Sequence, residues 1–271
     1  MIYALLVLIG IIGGTVGSIA GLGGGIIVVP ALLYMASVVS DLAYVTPQIA
    51  VGTSLFVIIF TGLSSTTAYL KQKKVDVKSG LVLFAGSGPG AIIGALLNKR
   101  LDVNGFYLYF GLFMIAVSFL LLFRNRLKPI PLRGRWMVEG RPADPADGEA
   151  YRYPLLVGVL IGFVVGLISG LFGIGGGSLM VPAMILLFQF PARVAVATSM
   201  FMITLSATVS SITHIQLGNV DWLLMALLVP GAWFGGKWGA WLNQKLNNNG
   251  LVILLRIVLI FVGVKMIWDA M

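Results

Sequence analysis

Ten apolar runs, most of them near the length of a bilayer crossing, constrain this chain more than any other feature. The first five are Ile2–Ala20, Ile26–Val39, Ile49–Leu70, Gly80–Leu97 and Gly105–Phe123. The second five are Pro154–Phe172, Ser178–Phe190, Val194–Ile215, Trp222–Leu242 and Leu251–Trp268. About 20 apolar residues cross the hydrocarbon core as a helix. Only 10% of the residues are charged, against about 25% in a soluble domain. No single soluble core of this size can enclose so much apolar chain. The expected fold is an all-α polytopic membrane protein, and the first run reads as a retained membrane segment, not a cleaved leader.

The second five runs repeat the first five. "GLGGGIIVVP" (Gly21–Pro30) returns as "GIGGGSLMVP" (Gly173–Pro182), and "AVGTSLF" (Ala50–Phe56) returns as "AVATSMF" (Ala195–Phe201). One constant offset pairs Gly86 with Gly231, Gly90 with Gly235, Gly94 with Gly239 and Asn98 with Asn243. The chain divides into a first transmembrane repeat (1–123), a polar linker (124–153) and a second repeat (154–271). The linker is rich in Pro, Gly and charge and reads as a cytoplasmic loop.

Loop charge orients the halves. "KQKKVD" (Lys71–Asp76) becomes "QLGNVD" in the second half and loses its lysines, while the loop before the third run gains Arg193. Basic loops mark the cytoplasmic side, so the swap predicts inverted repeats. It places the linker and Lys71–Lys78 inside and both termini outside. Inversion needs an odd number of crossings per half. The second run is only about 21 Å long as a helix. The first two runs are therefore expected either to cross together or to form a Gly-broken, re-entrant unit; a parallel arrangement is the rival.

The triple glycines are the leading site candidates. A helix broken at Gly23, Gly24 and Gly25 leaves the first N–H groups of the next helix unpaired, and such an end attracts anions. Gly175, Gly176 and Gly177 repeat the feature, and two inverted half-helices can aim both ends at one ligand near the midplane. Tight helix packing is the competing explanation. Thr53, Ser54, Thr198 and Ser199 offer hydroxyls at matching positions, against ordinary back-bonding to helix carbonyls. Arg193 stands where the first half has Gln48, and a guanidinium suits an oxyanion; an interfacial arginine is the alternative. Lys237, Arg256, Lys265 and His214 have snorkelling or structural readings.

Several classes fall away. With no cysteine and one histidine, a thiolate or His-cluster metal site is excluded. No Asp or Glu lies in the middle of an apolar run, which argues against a carboxylate proton relay or a cation-channel ring. "GAWFGGKW" (Gly231–Trp238) fails as a nucleotide loop because Trp238 stands where a magnesium-binding hydroxyl belongs. No cofactor, metal or catalytic constellation is expected, and the net charge of +9 reflects cytoplasmic loops, not nucleic-acid binding.

The paired "G-x-G-G-G-x-x-x-x-P" phrases, the paired "A-V-x-T-S" turns (Ala50–Ser54, Ala195–Ser199) and the endings "NKRL" and "NQKL" resemble the sulfite exporter family of TauE/SafE-like transporters. The resemblance covers nearly the whole chain except the linker. It implies a multi-pass inner-membrane permease exporting small sulfur oxyanions such as sulfite, or organosulfonates. The expected partners are that small anion and the lipid bilayer, with a homodimer left open. Uptake of another small anion and a non-transport membrane scaffold are the alternatives.

Overall fold

The computed structural model describes residues 2–123, 136–140, 142, 149–245 and 249–270. Its helices follow the ten runs closely: α1 Ile2–Ala20, α2 Gly25–Val38, α3 Pro47–Lys71, α4 Val77–Asn98, α5 Val103–Phe123, α6 Leu155–Phe172, α7 Gly177–Leu186, α8 Ala192–Gln216, α9 Trp222–Lys245 and α10 Asn249–Asp269. Six of the described helices are long and apolar enough to cross a membrane. Trp222, Trp238, Trp241 and Trp268 are exposed near helix ends, where aromatic side chains settle at the bilayer interfaces.

Local chemistry explains the boundaries. Thr46 caps α3, accepting from Ile49 N, with Pro47 in the first turn. Asp76 caps α4, accepting from Ser79 N at 3.1 Å, and Asp221 does the same at the start of α9, accepting from Leu224 N at 2.8 Å. The seventh run stops earlier than its apolar pattern suggests. After Leu186 the chain leaves the helix, Gln189 takes φ 60°, and Phe188 and Phe190 turn onto the linker. The linker stretch read as a loop carries two short strands there, β1 Met137–Gly140 and β2 Tyr151–Pro154. They pair antiparallel, Met137 opposite Pro154 and Gly140 opposite Tyr151. Tyr151 packs on Phe190 with ring centroids 3.8 Å apart, and Tyr153 on Phe188 at 4.5 Å. The apolar alternation of "YRYP" is what this ladder uses. The rest of the linker, 124–135, 141 and 143–148, lies outside the described residues.

The halves interlock. α1 packs chiefly on α9, and its counterpart α6 packs on α4, the counterpart of α9. Both seams bring backbone against backbone. A Cβ on Gly231, Gly235 or Gly239 would run into the carbonyls of Val7, Ile11 and Thr15; one on Gly86, Gly90 or Gly94 would meet those of Val159, Phe163 and Leu167. The repeated glycines therefore serve helix contact. α3 and α8 lie at the centre, and 72% of each one's most apolar stretch is buried. They run antiparallel: Thr198, near the start of α8, meets Asp76 just past the end of α3, and Thr53, near the start of α3, meets Asp221 just past the end of α8.

These seams predict unequal costs for two glycine-to-alanine changes. Gly90→Ala forces α4 away from Phe163 O and lowers stability by about 3 kcal/mol. Gly218 has open space around it at φ 74°, so Gly218→Ala costs only about 1 kcal/mol. Thermal unfolding in detergent distinguishes them; equal losses would contradict packing by backbone contact.

Candidate functional site

The glycine phrases form two helical hairpins whose tips meet. α1 ends at Ala20, and the chain doubles back through Gly21, Gly23 and Gly24, at φ 72°, 82° and 94°. L-side chains rarely take such angles. α2 then returns beside α1, with Val28 against Gly13. The second copy repeats the turn at Gly173, Gly175 and Gly176 (φ 73°, 79° and 76°). In each half the two helices lie side by side about the glycine turn.

The tips touch in the interior. Gly177 abuts Gly21 O, and Gly25 abuts Gly173 O. A Cβ on Gly23 or on Gly175 would lie 3.0–3.3 Å from Ile58 and Ile203 side-chain atoms. Ile58 and Ile203 sit at the middle of α3 and α8. Each helix is about 37 Å long at 1.5 Å per residue, so the tips lie deep between the two ends. All six glycines of the triplets are buried.

Serines from the central helices clasp the turns. Ser54 Oγ donates to Gly173 O at 3.0 Å, and Ser199 Oγ shares its one hydrogen between Gly21 O and Val196 O of its own helix, each at 3.0 Å. Each serine thus caps a carbonyl of the opposite half. At the N-termini of α2 and α7, the amides of Ile27, Val28, Leu179 and Met180 turn back onto Gly24 O and Gly176 O. The amides of Gly24, Gly25 and Ile26, and of Gly176, Gly177 and Ser178, have no acceptor among the described residues. Two hydroxyls beside the second tip share that condition. Ser169 and Ser178 are each 1% exposed, and neither Oγ has a hydrogen-bond partner. Ser169 Cβ lies 3.4 Å from where a Cβ on Gly176 would be. The first half has Gly17 and Ile26 at these positions; that departure from the repeat was the available signal.

The other candidates are placed elsewhere. Thr53 Oγ1 accepts from Asp221 N at 3.0 Å and Thr198 Oγ1 accepts from Asp76 N at 2.9 Å. The threonines tie the helix caps of the opposite half to α3 and α8, one residue before each tip-clasping serine. Gln48 donates to Asn98 O and to Leu101 O at 2.9 Å. Arg193 lines a polar cavity at the other end of the bundle. The structure therefore brings Ser54, Ser199 and the glycines together and sets Gln48 and Arg193 at opposite mouths. Lys237 is exposed between Phe234 and Trp241; Lys265 pairs with Asp269 at 2.9 Å; Arg256 lies outside the described side chains.

A second symmetric set closes each end. Tyr69 Oη donates to Ser18 O at 2.9 Å, and Asn243 Nδ2 donates to Ile19 O at 2.7 Å. In the other half His214 Nε2 meets Gly170 O at 3.1 Å, and Asn98 Nδ2 donates to Leu171 O at 2.8 Å. His214 is thus the counterpart of Tyr69, holding the last turn of α6 as Tyr69 holds that of α1. Outside the spans, Tyr44 donates to Asp221 Oδ2 at 2.7 Å and Tyr151 to Asp76 Oδ2 at 2.8 Å. Desolvation and the hydrogen bond to Asp221 push the Tyr44 phenol up to about 12, so it stays a neutral donor. The same two causes, with Asp76 as partner, raise Tyr151.

Long apolar helices, interlocked halves and a buried pair of broken-helix tips define a multi-pass membrane transporter. The chain belongs to the Sulfite exporter TauE/SafE family, whose sequence model matches residues 6–266. It is 52% identical to the probable membrane transporter protein YunE of Bacillus subtilis over 99% of this chain and 98% of that one. It is 27% identical to a probable membrane transporter protein of Xylella fastidiosa, covering 98% and 96% of the two chains. A probable membrane transporter protein of Methanocaldococcus jannaschii is 26% identical, with the same coverage. No solved structure matches the chain.

The clasp predicts different outcomes for three serine changes. Ser54→Ala and Ser199→Ala each strip a buried carbonyl of its donor and lower stability by about 1 kcal/mol. Ser178→Ala removes a hydroxyl that has no partner, so stability holds or rises. Unfolding midpoints in detergent provide the comparison; a loss at Ser178→Ala as large as at Ser199→Ala would contradict this assignment.

Proposed function

We propose that the protein is a secondary transporter that carries small sulfur oxyanions or organosulfonates out across the cell inner membrane by alternating access. The observation that carries this reading is the set of buried amides at the two meeting hairpin tips. Buried N–H groups at membrane depth need acceptors, and an oxyanion between two helix N-termini supplies them. Ser169 and Ser178 add donors beside the second tip. Sulfite and sulfonates offer tetrahedral or pyramidal oxygens to such a donor set, and the family description points to sulfite.

The antiparallel course of α3 and α8 supports inverted halves, 1–123 and 154–271, joined by a cytoplasmic linker. Each half then contributes one re-entrant hairpin and three crossings, the odd number that inversion requires. In this reading the contacts of Gly25 with Gly173 O and of Gly177 with Gly21 O part to admit the anion. Ser54 and Ser199 keep each turn's geometry, and Thr53 and Thr198 couple it to the helix caps. Tyr69 with Asn243 closes one end; His214 with Asn98 closes the other. Export down a negative-inside potential needs no coupling ion, because each charge gains about 2.3 kcal/mol per 100 mV.

Flux in proteoliposomes tests this. A 100 mV potential, negative inside, should sustain an outward gradient of a monovalent sulfonate of about fiftyfold. Ser178→Ala should raise the half-saturating concentration about threefold. Absence of potential-driven flux for sulfite and sulfonates alike would refute the reading and favour a non-transport membrane role.

A further inference from the structure

A polar cavity opens at the linker end of the bundle. It has a volume of about 380 Å³ and is lined by Tyr69, Gln72, Lys74, Arg193, Asn243 and Gln244. Arg193, Lys74 and three carboxamides are among its described lining residues. Its floor is the end of α1: Tyr69 and Asn243 hold Ser18 O and Ile19 O, directly before the Gly21 turn. Four helices build it, since α3 supplies Tyr69, α8 Arg193 and α9 Asn243 and Gln244 above the last turn of α1.

The opposite mouth has a different lining at the equivalent positions. There Arg193 is replaced by Gln48, Lys74 by Asn219, Gln72 by Leu217 and Tyr69 by His214. Gln48 is committed to Leu101 O, and Asn219 Nδ2 lies 3.1 Å from His214 Nδ1. Lys99, the counterpart of Gln244, and Arg100 line a cavity at that mouth with Leu217, the counterpart of Gln72, and with Ile93, Leu96 and Leu97. Those three are exposed apolar residues, the setting of interfacial cations with their stems along lipid.

We propose that the Arg193 cavity is an oxyanion vestibule, the first binding station for a sulfonate or sulfite on the linker-bearing side. A guanidinium binds oxyanions through two parallel N–H donors, and Gln72 and Gln244 offer amide donors. Positive charge in a cleft raises the local concentration of anions. The two ends, otherwise symmetric, thus differ in lining: Arg193 stands among carboxamides, whereas Lys99 and Arg100 stand among apolar side chains. The vestibule's role as a station on a path rests on the transporter reading; its affinity for anions does not.

The absence of native cysteine permits a test independent of flux. A single thiol is introduced as Gln244→Cys in the full chain, reconstituted in phosphatidylcholine. Its modification by a sulfonate-bearing methanethiosulfonate is compared with that by the trimethylammonium reagent, both normalised to a free thiol. The anionic reagent should be favoured about tenfold, and adding Arg193→Gln should remove most of that preference, while Arg193→Lys keeps part of it. Free methanesulfonate should slow modification. A preference unaffected by Arg193→Gln overturns the vestibule. So does protection by phosphatidylglycerol with none by methanesulfonate, which would assign the cavity to a lipid headgroup. Charge preference and methanesulfonate protection without transport would instead support the site and sink the transporter reading.

Discussion

Everything in this bundle depends on satisfying backbone polar groups where water is absent. A chain that turns inside a bilayer exposes carbonyls and amides that lipid cannot serve. Here two turns are made, and each borrows its donor from the other half: Ser54 serves Gly173 O and Ser199 serves Gly21 O. Neither hairpin is self-sufficient. The same dependence recurs outward, in the threonine-to-cap bonds and in the Asn98 and Asn243 bonds to the ends of α6 and α1. Folding one half without the other would leave buried carbonyls unpaired, each costing about 1–3 kcal/mol.

What the carbonyls gain, the amides do not. The N-termini of α2 and α7 carry amides with no described acceptor, at the point where the glycine tips meet. Glycine is required by the positive φ angles and by the closeness of the two tips, which leaves no room for a side chain. The arrangement is stable enough to fold, yet it retains unsatisfied donors at its centre. On the proposed function, such donors are where an anion finds its partners. The clasp itself is symmetric about the two halves, whereas the two ends differ, Arg193 standing where the other has Gln48.

Much of this was legible in the sequence. The helices follow the apolar runs within a few residues because the bilayer-length pattern leaves few other solutions. The repeated phrases located the tips, since three consecutive glycines are hard to explain in a helix. The partners of Thr53 and Thr198 were not legible. Nothing local says that a threonine on α3 will hold an amide at the start of α9; that follows only from how α3 and α8 cross. Tyr69 and His214 share one task with dissimilar side chains, so residue identity hid their equivalence. The β-ladder was missed because four-residue strands in a polar linker have no periodic signal of length, and their stability comes from Phe188 and Phe190. Ser169 and Ser178 were not legible from the repeat because the first half has Gly17 and Ile26 at those positions.

The central claim is that the amides at the two hairpin tips bind the transported anion. Anomalous scattering from selenate soaked into crystals of the full chain tests it most directly. The account predicts a selenium peak within hydrogen-bond distance of the amides of Gly24–Ile26 or Gly176–Ser178, in a state where the tips have parted. Selenate confined to the Arg193 cavity, with the tips closed and their amides facing only protein in every state captured, would contradict it.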